Sequence, residues 1–527
     1  SYVTIKFCNL NSATQDTNLA TIYIDEGTTT GNHDIDIDDN LFGDVEVVVD
    51  KDGTKTTEVI YVPANGIYIE SGNVPQKMTH RIRMRRNRHR RFRHRGIYSR
   101  SGGSEFTISD NHFYRSSPIT ENNTVAIISL EGGENSYGHT ITGNKLGGSD
   151  QNCAGSPFVV GGDVGFSGIY VSSGTTAVTT IDNNTIQNII QSNNSTSKPF
   201  TGIKTEGGKV NIGTPGNGNR IGSFTNSALA MQTEGTGTTT GIMTSSQEVQ
   251  IVNNYVSLWQ NSENRGVVTG INVDGANAVT ATGNFIANLG PMNGGVALSS
   301  TSGVVGLTCL SPASGSPAYY VINNTISLGK PNGSNADYTG LLTSIQNGTF
   351  VLANNSVHLE GTTHGSNSSG SSCMKNSYGW SSFNASSINN IIYNGRTGGT
   401  GGHYAFSNDS WPTGATVVQN NNLYVSPDAQ KFARDGTENY SFPSWKSSSF
   451  ANYMGWDRFS MYSTSGGLAP GSLWYDPAGL DYGPNTNSPY SWVLNGQGQP
   501  TSYVPKDING HNRSTSVLTG ATDIGTN

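Results

Sequence analysis

Two runs of charge dominate the chemistry that this chain could do. Asp34, Asp36, Asp38 and Asp39 form the first, and Arg81, Arg83, Arg85, Arg86, Arg88, Arg90, Arg91 and Arg93 the second. Period-two spacing places Asp34, Asp36 and Asp38 on one face of an extended strand, where three carboxylates make a shallow candidate Ca2+ site. Paired carboxylates flanking one bond are also the machinery of glycosidases. The arginines present planar guanidinium forks that suit sulfate, phosphate and uronate groups, so a polyanion-binding face is one reading of the second run. A ladder of ion pairs that neutralises the aspartates is another, and an anomaly of the sequence itself is the third. Trp259, Tyr378 and Trp380 are candidates for stacking on sugar rings, with a core or cap role as the plainer alternative. Other chemistry is excluded motif by motif. The histidines include no H-E-x-x-H, and neither G-x-S-x-G nor G-x-x-x-x-G-K-[ST] occurs. Asp50-Lys51-Asp52-Gly53 lacks the third acid and distal Glu of a calcium loop and reads as a hairpin turn. Ca2+ is the one cofactor the residues suggest.

The elements that must position these groups are set by a repeat. Aligned on one Asn, the chain returns apolar residues at minus five, minus three and plus two. Ile35, Ile37, Asn40 and Phe42 fit it, as do Phe106, Ile108, Asn111 and Phe113, or Tyr319, Val321, Asn324 and Ile326. Asn144 and Asn184 match closely, Asn219 follows a longer loop, Asn390 and Asn421 are degenerate, and Cys8 stands where the first Asn belongs. A second marker, Gly followed by an apolar residue, falls between copies, as in Gly96-Ile97, Gly168-Ile169 and Gly306-Leu307. Apolar and polar residues alternate at period two, with no 3.6-residue spacing, so each copy holds short half-buried strands. Such strands bury their inner faces only by stacking as coils of a solenoid, with equivalent strands paired in parallel. The recurring Asn is expected to occupy the turn itself and to hydrogen-bond from coil to coil. Thirteen copies imply a rod of about 60 Å.

In that frame the arginine run becomes a coil. Ile82 and Met84 stand at minus five and minus three from Asn87, and His89 takes the inward plus-two position as a core residue. Arg81, Arg83, Arg85, Arg86 and Arg91 then have the offsets that Asp34, Asp36, Asp38, Asp39 and Asp44 have from Asn40, while Glu105 and Asp110 follow in the next coil. The 47-residue step from Asn40 to Asn87 exceeds one period. A hairpin insertion near 45–62, turning at Asp52-Gly53, absorbs the excess. A coil of this kind replaces the nucleic-acid tail that eleven basic residues between Lys77 and Arg100 first suggest.

Composition agrees. Charged residues are 13% of the chain and glycines number 67, whereas a disordered chain of this polarity carries more charge. Outside the arginine run, 19 basic residues face 37 acidic ones, a net of −18. No apolar stretch approaches the roughly 18 residues of a membrane-spanning helix. The cysteines are too dispersed for a disulfide framework.

Runs such as Val-Thr-Ile-Lys-Phe-Cys-Asn-Leu at 3–10 and Thr-Ile-Asp-Asn-Asn-Thr-Ile at 180–186 resemble the right-handed parallel β-helix proteins of the pectate-lyase-like superfamily, particularly secreted bacterial surface proteins. The resemblance implies an all-β fold with a right-handed parallel β-helix over 1–430; after Asn421 the repeat stops, and Trp445, Trp456, Trp474 and Trp492 mark an irregular aromatic-rich C-terminal cap over 431–527. Asp507–Arg513 and Asp523–Gly525 look like the terminal segment of such proteins, in which further domains or an anchoring signal often follow. The N-terminus begins inside a coil, so further domains or a partner chain are expected at that end. The implied role is an extracellular or cell-surface adhesin-like stalk that binds glycans or another surface polymer without catalysis. The alternative is a polysaccharide lyase or glycoside hydrolase acting on acidic polysaccharide, with long turns at 153–166, 193–200 and 362–380 as places for a site.

Overall fold

The computed structural model describes residues 2–12, 20–26, 30–51, 54–72, 74–120, 125–192, 198–223, 231–233, 237–260, 266–291, 303–312, 315–329, 336–363, 368–377, 382–409, 416–448, 457–477, 479–515 and 522–526. Strands take up 53% and helices 5%, which makes the chain all-β, and its stacked parallel sheets form a right-handed parallel β-helix. Two compact units divide it: 1–249 with 257–259, and 250–256 with 260–527. Among the described residues no helix is long and apolar enough to cross a membrane.

Each coil of the first unit contributes a strand to three sheets. One sheet precedes the repeating Asn and includes His33–Asp38, His80–Arg85, Thr107–Ser109 and Thr140–Thr142. The second follows the Asn and includes Arg88–His89, His112–Phe113, Lys145–Leu146, Thr185–Ile186 and Arg220–Ile221. The third carries the Gly marker and includes Asn65–Glu70, Arg95–Arg100, Val125–Glu131, Phe166–Ser172 and Phe200–Glu206. Alternation does the sorting: Ile82, Met84, Ile108 and Phe113 are fully buried, as the minus-five, minus-three and plus-two positions require. The marker glycines permit close approach. A Cβ at Gly168 would stand 2.7 Å from the Gly202 carbonyl oxygen and 3.0 Å from Ile186 Cγ2. The insertion is a hairpin, with Val45 paired to Tyr61 and Lys51 to Thr54 in antiparallel register. Its turn residues Asp52 and Gly53, and the side chain of Asp44, lie outside the described residues.

The asparagines form a buried ladder. Asn87 Nδ2 donates to Asn111 Oδ1 at 3.0 Å and to the Ile37 carbonyl at 2.7 Å, while its own Oδ1 accepts from Asn40 N and Nδ2 at 3.0 and 3.1 Å. The same set recurs through Asn144 and Asn184 to Asn219. One expectation is corrected here. The ladder Asn does not take the left-handed turn; the residue before it does. Asp39, Arg86, Asp110, Gly143 and Asn183 all have φ between 52° and 69°. The division is physical: the left-handed residue points outward, and the Asn after it turns its amide inward, where buried polar groups must pair.

In the second unit the ladder runs Asn254, Asn284, Asn324, Asn355, Asn390 and Asn422. The last member is Asn422, one residue after the expected Asn421, which is instead the left-handed residue at φ 54°. Beyond it the chain does two things. The helix Phe442–Ser447 buries Trp445 against Phe406 and Phe432. The following segment then folds back along the outer face of the post-asparagine sheet. There Leu468, Leu473, Trp474, Tyr482 and Ile524 cover Ile391, Tyr393, Leu423 and Val425. The outward left-handed asparagines hold this strap: Asn323 donates to the Lys506 carbonyl, Asn354 to those of Asp523 and Gly525, and Asn389 to that of Gln499. Arg513 donates to the carbonyls of Asp523 and Gly525, locking the two terminal motifs together.

Candidate functional site

The aspartate and arginine runs meet strand on strand. His33–Asp38 pairs with His80–Arg85 in parallel, Asp36 opposite Arg83 and Asp38 opposite Arg85. Four bidentate pairs follow. Arg81 grips Asp34 at 2.8 and 3.1 Å, Arg85 grips Asp38 at 3.1 and 2.7 Å, and Arg86 grips Asp39 at 2.8 Å through both contacts. Arg83 holds Asp36 through Nε and, at 3.1 Å, through Nη2. On the other side, Lys6 Nζ lies 3.3 Å from Asp38 and the Tyr2 hydroxyl donates to Asp36 at 2.5 Å. Asp36 and Asp38 are buried, whereas Arg81 and Arg86 are half exposed. The guanidinium groups hold the carboxyls of Asp34, Asp36 and Asp39 below the ordinary range, Arg81 and then His33 acting on Asp34, Arg83 and Tyr2 on Asp36, and Arg86 on Asp39. Glu105 and Asp110 add attraction for Arg81 and Arg86 at longer range.

This arrangement holds coils in register. A Ca2+ ion at Asp34, Asp36 and Asp38 would have to displace three guanidinium forks, and a polyanion at Arg81, Arg83, Arg85 and Arg86 would have to compete with carboxylates already in place. Among the described residues no group of three His, Cys, Asp or Glu side chains converges as a metal site. Arg88 and Arg90 are exposed, Arg91 is buried with Nη2 donating to Ser116 Oγ at 3.2 Å, and Arg93 is partly buried. Inside the same coil, His89 is sandwiched between Phe42 and Phe113 at 4.4 and 4.5 Å, and burial pushes its imidazole pKa down to about 3. It is a neutral core residue. The side chain of Trp259, and all of Tyr378 and Trp380, lie outside the described residues.

The second unit brings together a cleft of about 240 Å3 on the outer face of its Gly-marker sheet. Four strands build it: Asp337–Ser344, Ser371–Asn376, His403–Asn408 and Ala433–Asp435. Their register stacks Leu342, Lys375, Ser407 and Arg434 in one outward column and Thr339, Ser372 and Tyr404 in another. Lys375 Nζ stands 3.7 Å from Asp409 Oδ2, Ser372 Oγ donates to Ser407 Oγ at 2.8 Å, and Asp337 Oδ1 accepts from Gly370 N at 2.7 Å. Tyr404 forms part of the wall and is fixed by its hydroxyl, which donates to Asn439. The lining therefore offers donors, acceptors and charges of both signs to a hydroxyl-rich ligand.

The candidate turn at 362–380 holds Ser368, Gly370, Ser371, Ser372 and Lys375 of this lining, but Ser371–Asn376 is a strand of the sheet rather than part of a turn, and the facing residues of the next coils were not foreseen. The Gly marker is lost where the cleft forms, since Cys373 and Ala405 fall in register with Gly340. Extending the alignment through those two residues would have placed Lys375 and Ser407 in one outward column. Comparison with protein-family models, with curated proteins and with solved structures returned no match.

Proposed function

We propose that this chain is a non-catalytic, glycan-binding β-helix of the pectate-lyase-like kind, acting outside the cell or on its surface as an adhesin-like segment. The observation that carries this reading is the cleft in the second unit. Its polar lining spans four coils, and most of it stands on paired strands, which lowers the ordering cost of binding. Hydroxyl-rich ligands pair with Asp409, Lys375 and the serines, and Tyr404 adds a partly apolar wall. Titration of the protein with neutral and uronic-acid oligosaccharides tests it, with Lys375→Ala and Asp409→Ala as variants. Each is expected to weaken binding by about tenfold, the loss of one charge-assisted hydrogen bond. Unchanged affinity in both variants, or no binding by any oligosaccharide, would remove the cleft as the site.

A second reading draws on the same contact. Lys375 within 3.7 Å of Asp409 sets a basic group beside an acidic one, the pairing a polysaccharide lyase would use. Incubation with acidic polysaccharide, followed by absorbance of unsaturated products and by reducing-end release, separates an enzyme from a binder.

A further inference from the structure

The Gly-marker sheet of the first unit carries a short stack of tyrosines on its outer face. Ala20–Ile24 pairs with Asn65–Glu70, and that strand with Arg95–Arg100, so register sets Tyr23 beside Tyr68 and Tyr68 beside Tyr98. Parallel strands about 4.8 Å apart bring equivalent rings to stacking distance. The centroids of Tyr23 and Tyr68 are 5.2 Å apart, and those of Tyr68 and Tyr98 are 5.0 Å apart. In the next coil the column changes to Ser129. There the Arg95 guanidinium, 4.0 Å from the Tyr98 centroid and hydrogen-bonded to Glu131, ends the stack.

Each phenol donates to a carboxylate. Tyr23 donates to Asp25 at 3.3 Å, Tyr68 to Glu70, and Tyr98 to Glu131 at 3.2 Å. A carboxylate so placed can take the phenolic proton as the ring gives up an electron. Arg100 also hydrogen-bonds the Tyr68 hydroxyl and helps to fix it. Burial and then Glu70 hold the Tyr68 phenol above its ordinary pKa, and burial and then Asp25 do the same for Tyr23. Both rings are therefore neutral at pH 7, and proton and electron leave together. Tilt separates the two pairs. Tyr23 and Tyr68 stand at 53°, and Tyr23 is 47% exposed, whereas Tyr68 and Tyr98 lie within 8° of parallel and neither is exposed. A bond between two rings requires them to turn against each other, and Tyr23 has room to do so.

We propose that Tyr23 and Tyr68 form an oxidative cross-linking site, at which hydrogen peroxide, acting through a haem peroxidase, joins the two rings as dityrosine and locks adjacent coils together. Tyr23 is oxidised first and, through the stacked contact, draws an electron from buried Tyr68; a second oxidation of Tyr23 completes the radical pair. A carbon ortho to each hydroxyl then forms the new C–C bond. The hydrogens on those two carbons leave as protons, and the hydroxyls are restored as the rings become aromatic again. Two electrons and two protons pass to the peroxide, which becomes two waters. The site rests on neither the cleft nor glycan binding.

Treatment of the whole chain with peroxidase and hydrogen peroxide, followed by intact mass, dityrosine fluorescence and peptide mapping, tests the assignment. The monomer should lose two hydrogens and yield a joined peptide pair holding residues 23 and 68, in a proportion that dilution does not change. Tyr23→Phe should abolish that pair and Tyr98→Phe should leave it. Asp25→Asn should lower its yield several-fold and Asp25→Glu should restore it, a dependence on the proton acceptor that ring packing alone does not produce. Because the cross-link closes a long loop, hydrogen exchange in Ala20–Ile24 should slow by about tenfold after treatment. Tyr320 and Tyr503 in the second unit, 6.1 Å apart, have no carboxylate on either hydroxyl among the described residues and serve as the control pair. Cross-links formed only between chains, equal coupling of Tyr320 with Tyr503, or full yield in Asp25→Asn would each overturn the proposal.

Discussion

Removing one rung of the arginine–aspartate ladder should loosen the coils locally, by an amount that burial sets. Arg83→Gln is the informative change, because Asp36 keeps only 3% of its side chain exposed while Arg83 keeps 37%. The variant leaves a desolvated carboxylate with the Tyr2 hydroxyl and a distant contact to Arg85 at 3.7 Å. Breaking a fully buried pair costs about 3–5 kcal/mol and an exposed one about 0–1 kcal/mol, so this half-covered rung should cost about 1–3 kcal/mol. Native-state hydrogen exchange of the strand His80–Arg85 reads that loss without assuming that a repeat array melts as one unit. Exchange should quicken by about 5-fold to 150-fold. The pH dependence has a definite sign. Arg83 holds the Asp36 carboxyl below its unfolded value, so the rung stabilises fully above about pH 4 and its contribution fades as pH falls through the depressed folded value. In the variant, desolvation is no longer outweighed by the guanidinium, so the folded-state pKa of Asp36 rises and the loss on acidification should shrink or change sign. Arg83→Gln combined with Asp36→Asn should recover much of the protection, since neither charge is then stranded. Exchange no faster in Arg83→Gln than in Arg88→Gln, which lies outside the ladder, would refute the reasoning.

Two further outcomes follow from buried polar groups. Asp457 is fully buried, accepts from Trp445 Nε1 and Gln419 Nε2, and has a pKa pushed up to about 6 by burial. A raised acid pKa means that the folded state binds the extra proton. The end of the second unit should therefore lose on the order of 3 kcal/mol as pH rises from about 4 past 6, and Asp457→Asn should flatten that loss in unfolding midpoints compared at pH 5 and pH 8. Asn355→Ala removes donors to Val321 O and Asn390 Oδ1 and the acceptor of Asn324 N and Nδ2. It should cost about 3 kcal/mol or more, visible as faster exchange at Asn324 and Asn390 but not at Asn87 in the other unit.

Legibility in the sequence followed periodicity. The offsets from Asn40 and Asn87 named the ion pairs 47 residues apart because stacked coils turn equal offsets into contact, and the same offsets sent His89 into the core and Arg88 outward. The hairpin was legible for a related reason: surplus length between two ladder positions has to leave the coil. Where the marker residue changed to Cys373 and Ala405, the frame lapsed, so the stretch holding Lys375 was read as a turn at 362–380 and its stacking on Ser407 beside Tyr404 was not foreseen.

By itself, then, the sequence determined which side chains face the interior and which coils lie side by side, since period-two alternation and a repeating Asn leave a solenoid as the way to bury both. Tertiary structure alone decided the rest. It assigned the left-handed turn to Asp39, Arg86 and Asn421 rather than to the ladder asparagines, because only the residue after the turn can aim its amide at the coil below. It also laid the strap from Leu468 to Ile524 over Tyr393 and Val425, a match of irregular surfaces that no repeating offset encodes.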